Sequence, residues 1–121
     1  MKPELGDRQR LLHILDAINL IDEFLAALSE DDFRSSALHR SATERQLEII
    51  GEAANAVSEE LKIQYSDVEW QPIRRFRNVI VHEYFGISTQ ILWGVIQKEL
   101  PILKVQVTAI LEVLELAIPS G

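Results

Sequence analysis

The stretch "LLHILDAINLIDEFLAAL", residues 11–28, decides the fold class of this chain. Its aliphatic residues recur at alternating steps of three and four, which places them on one stripe of an amphipathic helix. The stripe comprises Leu11, Ile14, Ile18, Ile21, Leu25 and Leu28. Asp7 stands upstream, where an aspartate is a favourable N-cap. The pattern predicts a first helix that buries one face.

A second apolar stripe predicts a second helix that ends near Lys62. Its members are Leu47, Ile50, Ala54, Val57 and Leu61. The start is open between "SATE", residues 41–44, which has the form of a capping box, and an earlier start at Ser36. The polar segment "SEDDFRSSALHR", residues 29–40, breaks the periodicity and predicts a loop anchored to the core by Phe33.

The remaining chain predicts three further helical segments and no strand. A third helix has Pro72 in its first turn and ends near Gly86, a short fourth runs from Ser88 through Trp93, and the last begins around Pro101. The last helix has one narrow polar stripe, so it is either central to the bundle or part of a subunit interface. That stripe comprises Lys104, Thr108, Glu112 and Glu115. We expect residues 1–121 to form one all-α domain of four or five helices.

Composition narrows the function classes. The chain has 121 residues, a formal net charge of -7 and no cysteine, which excludes disulfides and thiolate sites and favours a cytoplasmic protein. No segment has the order of a signal peptide or the uncharged length of a membrane span, so no membrane is expected. An acidic chain repels phosphate over most of its surface, so any nucleic-acid site must be local.

The densest positive cluster is "RRFRNVIVHEYFGI", residues 74–87. On a continuous α-helix, Arg74, Asn78 and His82 share a polar face, and Arg77 lies about 140° from His82. One helix therefore does not aim Arg77 and His82 at one point by backbone position alone. A second copy related by a two-fold axis can bring them together, which predicts a homodimer with a composite site.

Histidine, arginine and asparagine suit phosphoryl chemistry without a metal. Imidazole moves protons near neutral pH, and guanidinium binds phosphate oxygens as charge develops. RNA supplies its own 2′-hydroxyl nucleophile, so these groups suffice for its cleavage. The plainer alternative is a surface histidine among solvated arginines. Arg45, Glu48 and Glu52 on helix two form either an exposed charged face or part of the site. No histidine pair has i, i+4 spacing, so we expect no metal and no cofactor.

Arg77, His82 and Tyr84 spell R-x4-H-x-Y, and "RNVIVHEYFGI", residues 77–87, closely resembles the signature of HepT-like toxins in the HEPN superfamily. The segment "RQLEIIGEAAN", residues 45–55, extends the resemblance. The resemblance implies a HEPN-type helical homodimer whose paired arginines and histidines form a metal-independent RNase site. It makes Arg77 and His82 catalytic.

The resemblance also implies regulation by a MntA-like nucleotidyltransferase antitoxin, which transfers AMP to the motif tyrosine, here Tyr84. Arg74 and Asn78 are added from helical geometry as residues that bind RNA. Two rival hypotheses remain. One is a non-catalytic HEPN module that binds nucleotide or docks a nucleotidyltransferase, and the other is a helical adaptor without a site.

Overall fold

The computed structural model describes residues 3–78 and 89–117, and these ranges contain helices and turns without a strand. Residues Arg75–Asn78 form a 3-10 turn, and residues Val95–Glu99 form a π-helical turn. The α-helices are α1 (Pro3–Leu25), α2 (Glu30–Ser35), α3 (Ala37–Ala56), α4 (Glu59–Gln64), α5 (Trp70–Arg74), α6 (Thr89–Gly94) and α7 (Leu100–Ala117). The predicted all-α class is confirmed.

The core lies between α1, α3 and α7, and α1 packs against both of the others. The predicted stripe of α1 is buried from Leu11 through Leu25, and Leu28 beyond the helix end is partly buried against the core. From α3 the core receives Leu47 and Ile50, and Gly51 and Ala54 are buried beside them. The small residues allow close approach of a neighbouring helix, and α1 packs against α3.

The predicted N-cap at Asp7 is wrong, because α1 begins at Pro3 and Asp7 lies inside it. Proline suits this first helical position, since its missing N–H has no partner there in any case. The Asp7 side chain is buried and accepts hydrogen bonds from Ser58, 51 residues along the chain. Ser58 also lies where the predicted second helix is interrupted. Helix two does not run to Lys62: α3 ends at Ala56, Val57 is extended, and Ser58 caps the separate helix α4.

The start of α3 is the earlier of the two predicted positions. Ser36 is the N-cap and its hydroxyl accepts from the His39 N–H, whereas Ser41 lies inside the helix. The preceding loop contains the short helix α2, which Ser29 caps in a capping box with Asp32. Phe33 of α2 is fully buried, with its ring 5.3 Å from that of Trp93 on α6. The predicted anchoring role of Phe33 is confirmed.

Residues 89–117 form one helical arm with a widened turn before Pro101. The Leu100 N–H donates to the Val95 carbonyl, a bond five residues back rather than four. A proline ring crowds the carbonyl of the residue four positions earlier in an α-helix, and a π turn makes room for it. Pro101 stands in the first turn of α7, as predicted. No helix within the described ranges combines the length and low charge needed to cross a bilayer.

One face of α7 is buried and the other is exposed and largely apolar. Leu103, Val107 and Ile110 pack inward, and ion pairs tie the polar stripe to α1 through Lys104–Asp22 at 3.4 Å and Arg8–Glu115 at 3.1 Å. The helix is therefore packed on the bundle along one side only. The large aliphatic side chains that remain exposed are Ile102, Val105, Val113 and Leu116.

Candidate functional site

The three arginines of residues 74–77, called here the arginine segment, begin at the end of α5. This helix is anchored at its first residue. Trp70 is buried, and its indole Nε1–H donates to the Tyr65 carbonyl at 3.0 Å. One turn later, Ile73 is buried and fixes the same face of the helix. Both α5 and the following 3-10 turn pack against α3. The backbone that carries Arg74, Arg75 and Arg77 is therefore held on the surface of α3.

The segment is not the single α-helix that the sequence predicts. The α-helical hydrogen bonding of α5 ends at Arg74, and residues Arg75–Asn78 form a 3-10 turn. A 3-10 turn advances about 120° per residue, compared with 100° in an α-helix. The α-helical geometry from which Arg74 and Asn78 are predicted to share a face therefore ends at Arg74, and the part of these two residues in RNA binding stays a prediction. His82 and Tyr84 lie outside the described residues, so their arrangement relative to Arg77 stays a prediction.

Arg74 and Arg75 differ in their surroundings. Arg75 is exposed, whereas Arg74 is half-buried and its Nε atom is buried with no hydrogen-bond partner among the described residues. Between the arginines, Phe76 is partly buried and packs the 3-10 turn against the core. A guanidinium whose stem is buried keeps its outer nitrogens in a defined place, and it is suited to hold one phosphate oxygen.

Two buried polar residues of α3 were missed by the sequence analysis. Thr43 is fully buried with a hydroxyl that has no partner among the described residues, and Glu44 is only 4% exposed. They lie four and three residues before Leu47, so they continue the apolar stripe of α3 into its first turns. That register is the signal that could have found them. A capping box at residues 41–44 would instead place both residues at the start of a helix, where polar side chains are usually exposed.

Farther along α3, Arg45 and Glu52 are exposed, whereas Glu48 is half-buried. Arg45 Nη1 lies 3.3 Å from Glu48 Oε1, an i, i+3 pair in which the Arg45 side chain is 58% exposed. Glu52 is exposed as well. A pair of this kind contributes little to stability because water screens it. The exposed positions of Arg45 and Glu52 accord with the simpler interpretation of a charged surface, and a part of the three residues in the site remains a prediction.

The other two histidines stand apart from the arginine segment in sequence. His13 is exposed on α1, and His39 Nδ1 lies 2.6 Å from the Ser36 hydroxyl at the start of α3. Within the ranges that the structure describes, no three histidine, aspartate or glutamate side chains are grouped so as to hold a metal ion. Among the described side chains, the positive groups of the candidate site are those of Arg74 and Arg75.

Comparison with known proteins identifies the relatives of this chain. Residues 14–110 match the family model described as Ribonuclease HepT-like. A protein of Caldanaerobacter subterraneus, provisionally named an RNase, is 38% identical over 105 residues, which cover 87% of this chain and 94% of that protein. A protein of Thermococcus cleftensis named "Probable ribonuclease HepT" is 34% identical over 91 residues, covering 75% of this chain and 83% of that protein.

A longer relative shows the same similarity in only part of its length. A protein of Methanocaldococcus jannaschii, named as a gamma-glutamylcyclotransferase and provisionally as an RNase, is 35% identical over 105 residues. The match covers 87% of this chain but 47% of that protein, so the chain spans about half of its length. No solved structure matches the chain significantly.

Proposed function

Because the chain belongs to the HepT-like ribonuclease family, we propose that it is a toxin that cleaves RNA endonucleolytically. The observation that carries the proposal is the position of the family match, residues 14–110, which includes the whole R-x4-H-x-Y motif at residues 77–84. The similarity to relatives named as RNases extends over most of the chain and supports the same activity. The absence of cysteine is consistent with a cytoplasmic location, where such a toxin would meet its RNA.

In the proposed mechanism, the chain moves protons and stabilises charge while the RNA provides the nucleophile. His82 takes the proton from the 2′-hydroxyl, whose oxygen attacks the adjacent phosphorus and displaces the 5′-oxygen of the next nucleotide. A protonated imidazole, from the second copy of His82 in the dimer, returns a proton to that leaving oxygen. Arg77 binds the phosphate oxygens as negative charge builds on them. The products are a 2′,3′-cyclic phosphate and a 5′-hydroxyl, and no metal takes part.

Arg74 and Asn78 are proposed to hold the RNA rather than to react with it. The half-buried Arg74 side chain is restrained by packing at the end of α5, so it loses less freedom than an exposed lysine when it binds a phosphate. Asn78 ends the 3-10 turn one residue after Arg77. The two residues flank the catalytic arginine along the chain, and they would position successive phosphates beside it.

The proposed active form is a homodimer in which Arg77 and His82 of both copies share one cleft. Val105, Val113 and Leu116 of α7 are exposed, so the chain has apolar surface left to bury. Sedimentation of the purified chain at micromolar concentration tests this proposal, and a monomer at all concentrations would contradict it.

The proposed regulator is a MntA-like nucleotidyltransferase that transfers AMP from ATP to the Tyr84 phenol oxygen, releasing pyrophosphate. The new phosphodiester would add one negative charge and an adenosine at a position seven residues after Arg77 in the sequence. It would then occupy the place of an RNA phosphate, and it would block RNA by charge and by bulk.

Growth measurements test the proposed function most simply. Expression of the chain alone is expected to arrest growth, and His82→Ala is expected to restore it at equal protein level. A matched His13→Ala variant, altered at an exposed histidine of α1, is expected to remain toxic. Equal toxicity of the wild-type chain and His82→Ala would instead favour a non-catalytic module that acts by binding.

A further inference from the structure

A groove of about 380 Å³ lies between the α5 region and α7, outside the proposed catalytic set. Apolar side chains line it from both sides, and Ile102 at this groove is 58% exposed. A volume of this size accommodates one or two aliphatic side chains of a bound segment. The apolar lining includes Pro72, Ile73 and Phe76 on one side and Leu100, Ile102 and Leu103 on the other.

Three carboxylates share the lining of this groove. They belong to Asp67 and Glu69 in the connector before α5 and to Glu99 in the π-helical turn. Among the described residues none of the three enters an ion pair. Glu69 is the N-cap of α5, yet its side chain makes no capping hydrogen bond. Within the described part of the chain these carboxylates have no cationic partner, and together they give the groove a negative potential.

The local backbone gives Glu99 its place in the groove. The π turn at Val95–Glu99 widens the helical arm, and both its first and its last residue line the groove. Single π turns within α-helices are found frequently at functional sites. Farther along the same wall, the Gln106 side chain on α7 donates to the Asp67 carbonyl at 3.4 Å and ties the connector to α7. The groove is thus a formed surface between two linked elements.

We propose that this groove docks a segment of a protein partner that carries aliphatic side chains flanked by lysine or arginine. The aliphatic side chains would fill the apolar floor, and the cations would pair with Asp67, Glu69 and Glu99. RNA and anionic membranes are disfavoured occupants because their phosphates would meet three carboxylates. The proposal rests on the groove alone, so it does not depend on RNA cleavage by the arginine segment.

Chemical-shift perturbation in the uniformly ¹⁵N-labelled full chain tests the proposal. The probe is an amphipathic octapeptide of leucines and lysines. One control peptide replaces the leucines with serine, and a second replaces the lysines with glutamate. The leucine–lysine peptide is expected to shift amide signals of groove residues at least about tenfold more strongly per added peptide than either control. Only this peptide offers both leucines to the apolar lining and lysines to the carboxylates.

Matched variants decide where the peptide binds. Glu69→Gln combined with Glu99→Gln is expected to weaken binding about tenfold, and Ile102→Ser is expected to weaken it by a similar factor. Glu23→Gln on α1 and Ile63→Ser on α4 alter exposed residues outside the groove and are expected to leave binding unchanged. Equal binding of the serine peptide, shifts that map elsewhere, or no shift at millimolar peptide would each overturn the proposal.

Discussion

The Asp7 carboxylate accepts two hydrogen bonds from Ser58, one from its backbone N–H at 2.8 Å and one from its hydroxyl at 2.6 Å. Ser58 in turn caps α4 by accepting from the Leu61 N–H. One buried carboxylate on α1 therefore fixes the point at which α3 ends and α4 begins. Since α3 carries the packing surface for the arginine segment, this contact links the start of the chain to the candidate site.

Replacing Asp7 with alanine is expected to lower the free energy of unfolding by about 2–3 kcal/mol, because two charge-assisted hydrogen bonds are lost at a buried position. Urea titration followed by circular dichroism measures the change. Asp16→Ala, at an exposed position of the same helix, is the control and is expected to change stability by less than about 0.5 kcal/mol. Equal losses in the two variants would show that the Asp7–Ser58 contact contributes nothing specific.

The same contact explains what could be predicted from the sequence and what could not. The stripe from Leu11 to Leu25 was predicted correctly because burial of one helix face leaves a direct periodic signal. The break at Val57 leaves no such periodic signal, since the carboxylate that holds Ser58 in place belongs to Asp7, 51 positions away. Local propensity alone continues the second helix to Lys62, and a tertiary hydrogen bond ends it earlier.

The sequence likewise predicts some features of the candidate site and not others. The residue types and spacing of Arg77, His82 and Tyr84 are visible in the sequence, and they carried the resemblance to the family that the match over residues 14–110 then showed. The 3-10 turn was not predictable, because it arises where the chain after α5 packs onto α3. Buried Thr43 and Glu44 were missed for a related reason: a polar residue on an apolar stripe looks exposed until its neighbours are known.

Substitution of Thr43 tests whether a buried polar residue of α3 affects stability or RNA cleavage. Thr43→Val keeps the shape of the side chain and removes a buried hydroxyl without a partner among the described residues, so it is expected to stabilise the fold by about 1 kcal/mol. RNA cleavage is expected to remain within about twofold. Thr108→Val on α7, where the hydroxyl donates to the Lys104 carbonyl at 2.7 Å, is the control. Loss of cleavage in a stable Thr43→Val protein would show that the hydroxyl serves the RNA.

Arg74 is expected to contribute more to RNA binding than a distant cation does. Arg74→Gln and Lys104→Gln each remove one positive charge, so any difference between them reports position rather than net charge. Lys104 lies on α7 in an ion pair with Asp22, away from the arginine segment in sequence. Only Arg74→Gln is expected to weaken RNA binding, and it should reduce the slope of log K against log salt by about 1. Fluorescence anisotropy measures both, and equal effects would show that the binding surface lies elsewhere.

Inhibition of this chain by the proposed nucleotidyltransferase is expected to require Tyr84. Tyr84→Phe removes the oxygen that accepts AMP and keeps the ring, so the variant is expected to stay folded and toxic when the nucleotidyltransferase is co-expressed. Mass spectrometry of the wild-type chain treated with the partner and ATP should find AMP on Tyr84. Tyr65→Phe serves as the control because its ring belongs to the partly buried core layer. Attachment of AMP to another residue, or full toxicity of the modified chain, would refute the switch.

The central claim is that this chain cleaves RNA by using the 2′-hydroxyl of the substrate, with His82 moving protons and Arg77 stabilising charge. The most direct measurement is cleavage, with EDTA present, of an RNA that the wild-type chain cuts, compared with the same RNA carrying a single 2′-deoxy nucleotide immediately 5′ to the cut. We predict that the all-RNA substrate yields a 2′,3′-cyclic phosphate and a 5′-hydroxyl, and that the 2′-deoxy linkage stays intact. Cleavage of the 2′-deoxy linkage, or activity that EDTA abolishes and magnesium restores, would contradict the account.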